Sequence, residues 1–523
     1  MHGVELVLIS LLVAVSVLAA ASRAIGVPYP IVLVLGGLVM GFVPGIPEVE
    51  LEPELVLVVF LPPLLYSAAF FASLRDLRYD LRSISLLAVG LVVATACAVA
   101  VVAHALIDGL PWAAAFALGA IVAPTDPLAA IEVGRRLGLP RRLGTILEGE
   151  SLINDGTALV IYRVAVGAVG GTFSLAEAGL EFVLGAAGGI AIGLAVGWVV
   201  AEIRKRLDDP PVEVTISLLT GYAAYVPAER VGASGVLAAV TIGIYIGWRA
   251  PEISSARQRV AGYSMWTILT FLLNALLFVL IGLQLPLILE GLEDEPFGEL
   301  VAIALAVAAV VIVSRILWVH VITLAIRTLD RRPSQVARRG TWQGRTVVGW
   351  AGLRGAVSLA AALALPADFP ARDQLLFITF TVIFVTLVLQ GLTLPAVIRW
   401  SGVHDDGAEA REELLARRQA TAAALEHLDE LEGLEWTRDD TVERMRGMYR
   451  YRARRLDARA GEPDEGDGDD YEHRSRKYQK MVRSVLDAQR AAVVELRNRG
   501  EISNEVMHRI QRELDLEDER LEI

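Results

Sequence analysis

Two aspartates stand inside apolar stretches where charge is rare. Asp126 lies within Pro-Thr-Asp-Pro at 124 to 127, and Asp155 closes Glu-Gly-Glu-Ser-Leu-Ile-Asn-Asp at 148 to 155. An ionisable side chain at mid-membrane costs roughly 2.5 to 3.5 kcal/mol on insertion scales, so it is seldom kept unless it handles ions or protons. On a helix starting near 146, residues four apart share a face, which sets Ser151 beside Asp155 and Glu150 beside Asn154, with Glu148 two turns from Asp155. A carboxylate, a hydroxyl and freed backbone carbonyls form an all-oxygen set suited to a hard cation such as sodium. Burial disfavours a bare carboxylate, so such a group holds either a proton or a cation. That exclusion suffices to couple two fluxes, provided the empty charged site does not cross the membrane. The simpler alternative for Asp155 is a structural hydrogen bond between helices.

The elements that position these residues are broken helices. Pro124 and Pro127 each remove a backbone donor and crowd the preceding turn. Carbonyls near Thr125 thereby lose helical partners and become available to a cation. A second apolar stretch, 345-366, carries Gly349, Gly352 and Gly355 around Arg354. Interrupted spans at matching places in two halves of a chain point to inverted repeats and two discontinuous crossing helices, as in secondary transporters. Gly and Pro also serve ordinary close packing in membrane helices, but here they flank charges. Arg354 keeps its proton in any setting and needs a permanent partner. Glu150 is the expected one, an ion pair tying the two broken regions together and leaving Asp155 free. Arg163 and Arg315 either reach toward an interface or pair with an acid, and sequence leaves both readings open. His104 and His320 read as lone polar groups near span ends.

Composition sets the class. Fifty-four per cent hydrophobic residues over 523, with a mean hydropathy of +0.52, is too apolar for a water-soluble chain. The expected fold is an all-α polytopic membrane protein with a helical cytoplasmic tail. A span needs about 20 mainly apolar residues, and thirteen candidates run from 4-22 to 372-399, the weakest being 212-228 with its Pro227. The first lacks the basic flank of a secretory signal, so it is expected to be retained. Alternate loops hold twenty Lys and Arg, against Arg230 and Arg372 in the others. That bias places the N-terminus outside and the tail inside. Residues 1-402 form the membrane domain; residues 403-523, with 22 Lys and Arg against 31 Asp and Glu, form an acidic tail. Cys97 stands alone, which excludes an intrachain disulfide and a thiolate metal cluster. No cofactor motif or nucleic-acid signature is present.

Four ordered motifs carry a family likeness: Phe-Leu-Pro-Pro-Leu-Leu-Tyr-Ser-Ala-Ala-Phe at 60 to 70, Pro-Thr-Asp-Pro, Glu-Gly-Glu-Ser-Leu-Ile-Asn-Asp-Gly, and Gly-Leu-Arg-Gly-Ala-Val-Ser-Leu at 352 to 359. Over residues 1 to about 402 the chain resembles the sodium/proton exchanger branch of the monovalent cation/proton antiporters. The resemblance implies a thirteen-span homodimer with a dimerisation domain and a mobile core domain, working by elevator-like alternating access in the cytoplasmic membrane. It implies Asp155 as the ion- and proton-binding carboxylate, Na+ held by Asp155, Ser151 and the Thr125 backbone, Asp126 polarising the helix crossing, and Glu150 paired with Arg354. The Asn154-Asp155 pair resembles the electroneutral type, one cation per proton. Ser67 stands where the family often has Glu, so one ligand or accessory acid of the family is missing here; Ser67 and Glu148 are candidate accessory positions. Potassium/proton exchange on the same scaffold is the alternative; a cation channel or an intramembrane aspartic hydrolase explains fewer of these residues.

Overall fold

The computed structural model describes residues 2–44, 51–171, 175–292, 296–330, 332, 340–405, 407–459 and 468–522. All regular structure among them is helical. The chain divides into two compact units, Met1–Asp405 and Asp406–Ile523.

In the first unit, α1 (His2–Ile25), α2 (Tyr29–Gly41) and α3 (Leu61–Phe71) are followed by α4 (Leu74–Ser85) and α5 (Val92–Leu106), which a π-helical stretch joins into one rod. Next come α6 (Trp112–Val122), α7 (Leu128–Arg136), α8 (Arg141–Gly170), α9 (Leu175–Arg204), α10 (Pro210–Arg230) and α11 (Gly235–Ile253). They are followed by α12 (Ala256–Glu290), α13 (Phe297–Leu329), α14 (Trp342–Trp350), α15 (Ala356–Leu363), α16 (Arg372–Val385) and α17 (Gly391–Ser401), the last two again joined by a π-helical stretch. Among the described residues seven helices are long and apolar enough to cross a membrane: α4–α5, α8, α9, α11, α12, α13 and α16–α17. Shorter apolar helices are α1, α2, α3 with its preceding turn, and α6.

Helix starts follow from local chemistry. Ser73, Ser234 and Thr341 each cap a helix, accepting a backbone N–H three residues on, and Ser255 with Gln258 forms a capping box at α12. The helices then sort into two groups. One packs α2 on α12, α11 on α3 and α9, and α10 against α3, α9, α11 and α12. The other packs α5 on α6 and α13, α6 and α4 on α8, and α13 on α14 and α16. At the α2–α12 seam the backbones touch: a Cβ on Gly37 or on Gly282 would run into the facing main chain, at Val279 and Val34 respectively.

In the second unit, α18 (Ala408–Leu431) packs on α19 (Asp439–Arg459), and α20 (Gly468–Asn498) packs on α21 (Asn504–Glu522). Arg446 joins α18 to α19 through Asp429 and Glu432, at 2.8 and 2.7 Å. Arg490 does the same for α20 and α21 through Asp515 and Asp518, at 2.9 and 3.0 Å. The stretch 461-470, whose Asp, Glu and Gly predict a flexible linker, lies largely outside the described residues.

Candidate functional site

The Pro-Thr-Asp-Pro motif breaks its helix as its prolines require. α6 stops at Val122 and α7 starts at Leu128, where the Asp126 carboxylate accepts the Leu128 N–H at 2.9 Å. The glycine-rich motif leaves a matching gap between Trp350 and Ala356. One main-chain bond ties the two gaps together, the Asp126 N–H donating to the Leu353 carbonyl at 2.8 Å. Gly355 makes the contact possible, since any Cβ there would collide with the Asp126 carboxylate.

Arg354 is not the partner of Glu150. It lies wholly within the second gap and donates from Nε to the Val122 carbonyl at 3.0 Å and from Nη1 to the Gly352 carbonyl. Its own N–H donates to Thr386 Oγ1 at 3.2 Å. Val122 ends α6, so the guanidinium occupies the negative pole of that half-helix and takes up a carbonyl without a helical donor. The crossing is thus charge-matched: Arg354 faces a C-terminus, and Asp126 lies against Gly355, the N-cap of α15, a positive pole.

Glu150 belongs instead to Arg315 of α13, one of the two arginines that sequence left open. The guanidinium meets the carboxylate with both terminal nitrogens, Nη2 to Oε2 at 2.8 Å and Nη1 to Oε1. Arg315 Nε also donates to the Val348 carbonyl at 3.0 Å. Arg315 is 0 % and Glu150 2 % exposed, and such burial is tolerated because bidentate pairing and further hydrogen bonds satisfy both ions. The signal available in sequence was position: Arg315 sits in the middle of a span otherwise free of charge from 300 to 326.

A directional chain runs from this pair to the first break. Glu150 is acceptor-only, so Thr125 Oγ1 donates to its Oε1 at 3.0 Å; that hydroxyl then accepts from Asn154 Nδ2, also at 3.0 Å. Asn154 Nδ2 lies 3.3 Å from the Thr125 carbonyl as well, and its Oδ1 has no partner. Thr125, Glu150 and Asn154 therefore assemble as one network. Asp155 stands apart from it: buried at 7 % exposure, it makes no hydrogen bond or ion pair with a described residue. Asp126 is close enough to interact with it electrostatically.

The remaining expected positions are more peripheral. Ser151 is half-buried on α8, and no bond joins it to Asp155. Glu148 is half-buried and within electrostatic reach of Arg135 and Arg141. Ser67 is buried on α3, whose Leu61, Leu65 and Ala69 cluster with Leu152 of α8. His104 and His320 each place Nδ1 against a backbone carbonyl, at 2.6 and 2.9 Å. Among the described residues no cluster of three or more His, Cys, Asp or Glu is arranged for a metal ion.

A helical membrane unit with two broken, charge-matched helices meeting beside an unpaired buried carboxylate is the build of a secondary transporter, not of an enzyme. Residues 8–400 match the family described as sodium/hydrogen exchanger, transmembrane. The chain belongs to that family. It is 38% identical, over 98% of its length and 96% of the relative's, to the uncharacterised Na+/H+ exchanger Rv2287 of Mycobacterium tuberculosis. It is 36% identical to the Na+/H+ antiporter ApNhaP of Aphanothece halophytica, over 77% of this chain and 75% of that one. Its fold is similar to the sodium proton antiporter MjNhaP1 of Methanocaldococcus jannaschii, with a TM-score of 0.59 at 22% identity, covering 77% of this chain and 97% of the other.

Proposed function

We propose that this protein is a homodimeric antiporter of the cytoplasmic membrane, exchanging one monovalent cation, Na+ or Li+, for one proton by alternating access. The observation that carries the reading is the isolation of Asp155 next to a crossing whose other charges are all matched. Glu150 is held by Arg315, Arg354 by half-helix carbonyls, and Asp126 by the Leu128 N–H. Asp155 is then the site's free valence. It takes a proton from one side, releases it on the other, and accepts a cation in its place. Ser151, Thr125 and Asp126 complete the oxygen shell for Na+, and Asn154 contributes by fixing Thr125. The arginine pairings stay constant through the cycle, so only Asp155 changes charge, which makes the cycle electroneutral.

In this reading the chain crosses the membrane thirteen times, with α10 and the two broken pairs counted as spans. The two breaks are counterparts in an inverted repeat. The N-terminus is outside and residues 403-523 are cytoplasmic, following the bias of Lys and Arg among the loops. The cellular role is control of pH and of sodium.

The deciding experiment uses proteoliposomes with an internal pH dye, adding Na+, Li+ or K+ to the wild type and to Asp155→Asn, with and without a potential-clamping ionophore. Cation-triggered proton movement that is blind to potential and absent in Asp155→Asn is expected. Response to K+ alone would replace the substrate, and a potential-dependent current would overturn the stoichiometry.

A further inference from the structure

Among the described residues one ion pair joins the two groups of helices, and the ion cycle above has no use for it. Arg163 of α8 donates from Nη2 to Glu229 Oε2 at 2.5 Å. Arg163 lies eight residues beyond Asp155 on the same helix, roughly 12 Å along its axis. Its helix packs chiefly on α4 and α6. Glu229 is in the last turn of α10, whose neighbours are α3, α9, α11 and α12. The acid is held in place independently of Arg163, because its other oxygen accepts the Gly235 N–H at 2.9 Å, at the positive start of α11. Glu229 is thus a fixed receptor on one group, and Arg163 is the movable half, carried by the helix that bears Asp155.

We propose that Arg163 and Glu229 form a latch on the outer side of the carrier, closed in the state described here and open when the site faces outward. This rests on the alternating-access reading. Where the two helices separate by more than the arginine side chain can follow, the contact exists in one state only, so its energy enters the balance between states. Both side chains are partly exposed, 49% and 28%. A pair of that kind biases an equilibrium a few-fold, not by orders of magnitude. Arg163 is therefore an access-setting residue that touches neither cation nor proton.

The test uses the full chain with Cys97→Ser, so that introduced thiols are the only ones. Asp155→Cys serves as a reporter of access, and a membrane-impermeant maleimide is applied to the outer face. Arg163→Gln should raise the outer labelling rate roughly two- to fivefold, the range open to a partly exposed pair. Glu229→Gln, whose amide oxygen can still accept the Gly235 N–H, should do the same. Equal rates in all three proteins would overturn the latch. A second arm joins Arg163→Cys to Glu229→Cys by oxidation in proteoliposomes. Exchange should stop on cross-linking and resume on reduction, whereas cross-linked protein exchanging at the reduced protein's rate would overturn the proposal. Absence of exchange in the parent would count against the transport reading alone, since the labelling arm needs no turnover.

Discussion

At the scale of single residues, the site separates charges that are locked from one that is free. Asp155→Asn keeps the shape and removes the titration; exchange is expected to vanish while the thermal unfolding midpoint is unchanged or raised, because a buried carboxylate without a bond is costly to keep. Arg315→Leu should act in the opposite way. It strands Glu150, which costs roughly 3 to 5 kcal/mol when one partner of a buried pair is removed, and the midpoint should fall sharply. The double variant Arg315→Leu with Glu150→Gln should recover much of the loss, and equal midpoints for single and double variants would deny that the pair is a unit. Much of this was legible in sequence. Asp126, Glu150 and Asp155 declare themselves as acids in apolar runs, and spacing set Glu150 beside Asn154. The arginine pairing was not legible, because two arginines compete for one carboxylate and the loser is satisfied by backbone. Carbonyls freed at the end of a half-helix have no letter in a sequence.

At the scale of elements, the crossing depends on how closely two gaps approach. Gly355→Ala would drive a methyl into the Asp126 carboxylate, an overpacking of about 1 to 3 kcal/mol placed at the working site. Exchange should drop by tenfold or more with expression retained; Gly144→Ala, where a methyl meets open space, is the neutral control. The first break was readable, since Pro124 and Pro127 disrupt a continuous helix; the second was only hinted at, since glycines such as Gly352 and Gly355 weaken a helix without forbidding it, and Gly349 is itself helical. The π-helical joins at Leu86–Leu91 and Thr386–Gln390 were not, because one extra residue per turn leaves no compositional trace. In the tail, Arg490 holds the Asp518 carboxyl below its usual 3.8. The stability from this contact is present above that value and fades as pH falls through the lower folded one. Hydrogen exchange on the full-length protein should therefore show α20 and α21 losing mutual protection in acid below about pH 4, and constant protection down to pH 2 would contradict the linkage.

At the scale of the whole molecule, the proposed competition of proton and cation for one carboxylate dictates how rate depends on pH. In acid the proton excludes the cation; in alkali there is no proton to return. The rate of exchange should rise and fall around a single optimum at fixed sodium, and the optimum should move to lower pH as sodium is raised. A flat profile would exclude competition at one site. The all-helical, membrane-spanning character was foreshadowed by hydropathy, and the proposed thirteen-span alternation rests on the distribution of Lys and Arg, whereas the sorting of helices into two groups was not legible, because apolar faces carry no address. The glycine seam between α2 and α12 has a mechanical meaning. Where main chain rests on main chain there are no rotamers to yield, and the joint has the stiffness of a weld. Side chains interdigitate where α8 meets α3, and such a surface has many near-equal arrangements through which it can slip. If the proposed alternating access moves one group of helices against the other, the difference between bearing and frame comes down to whether a Cβ stands between two helices.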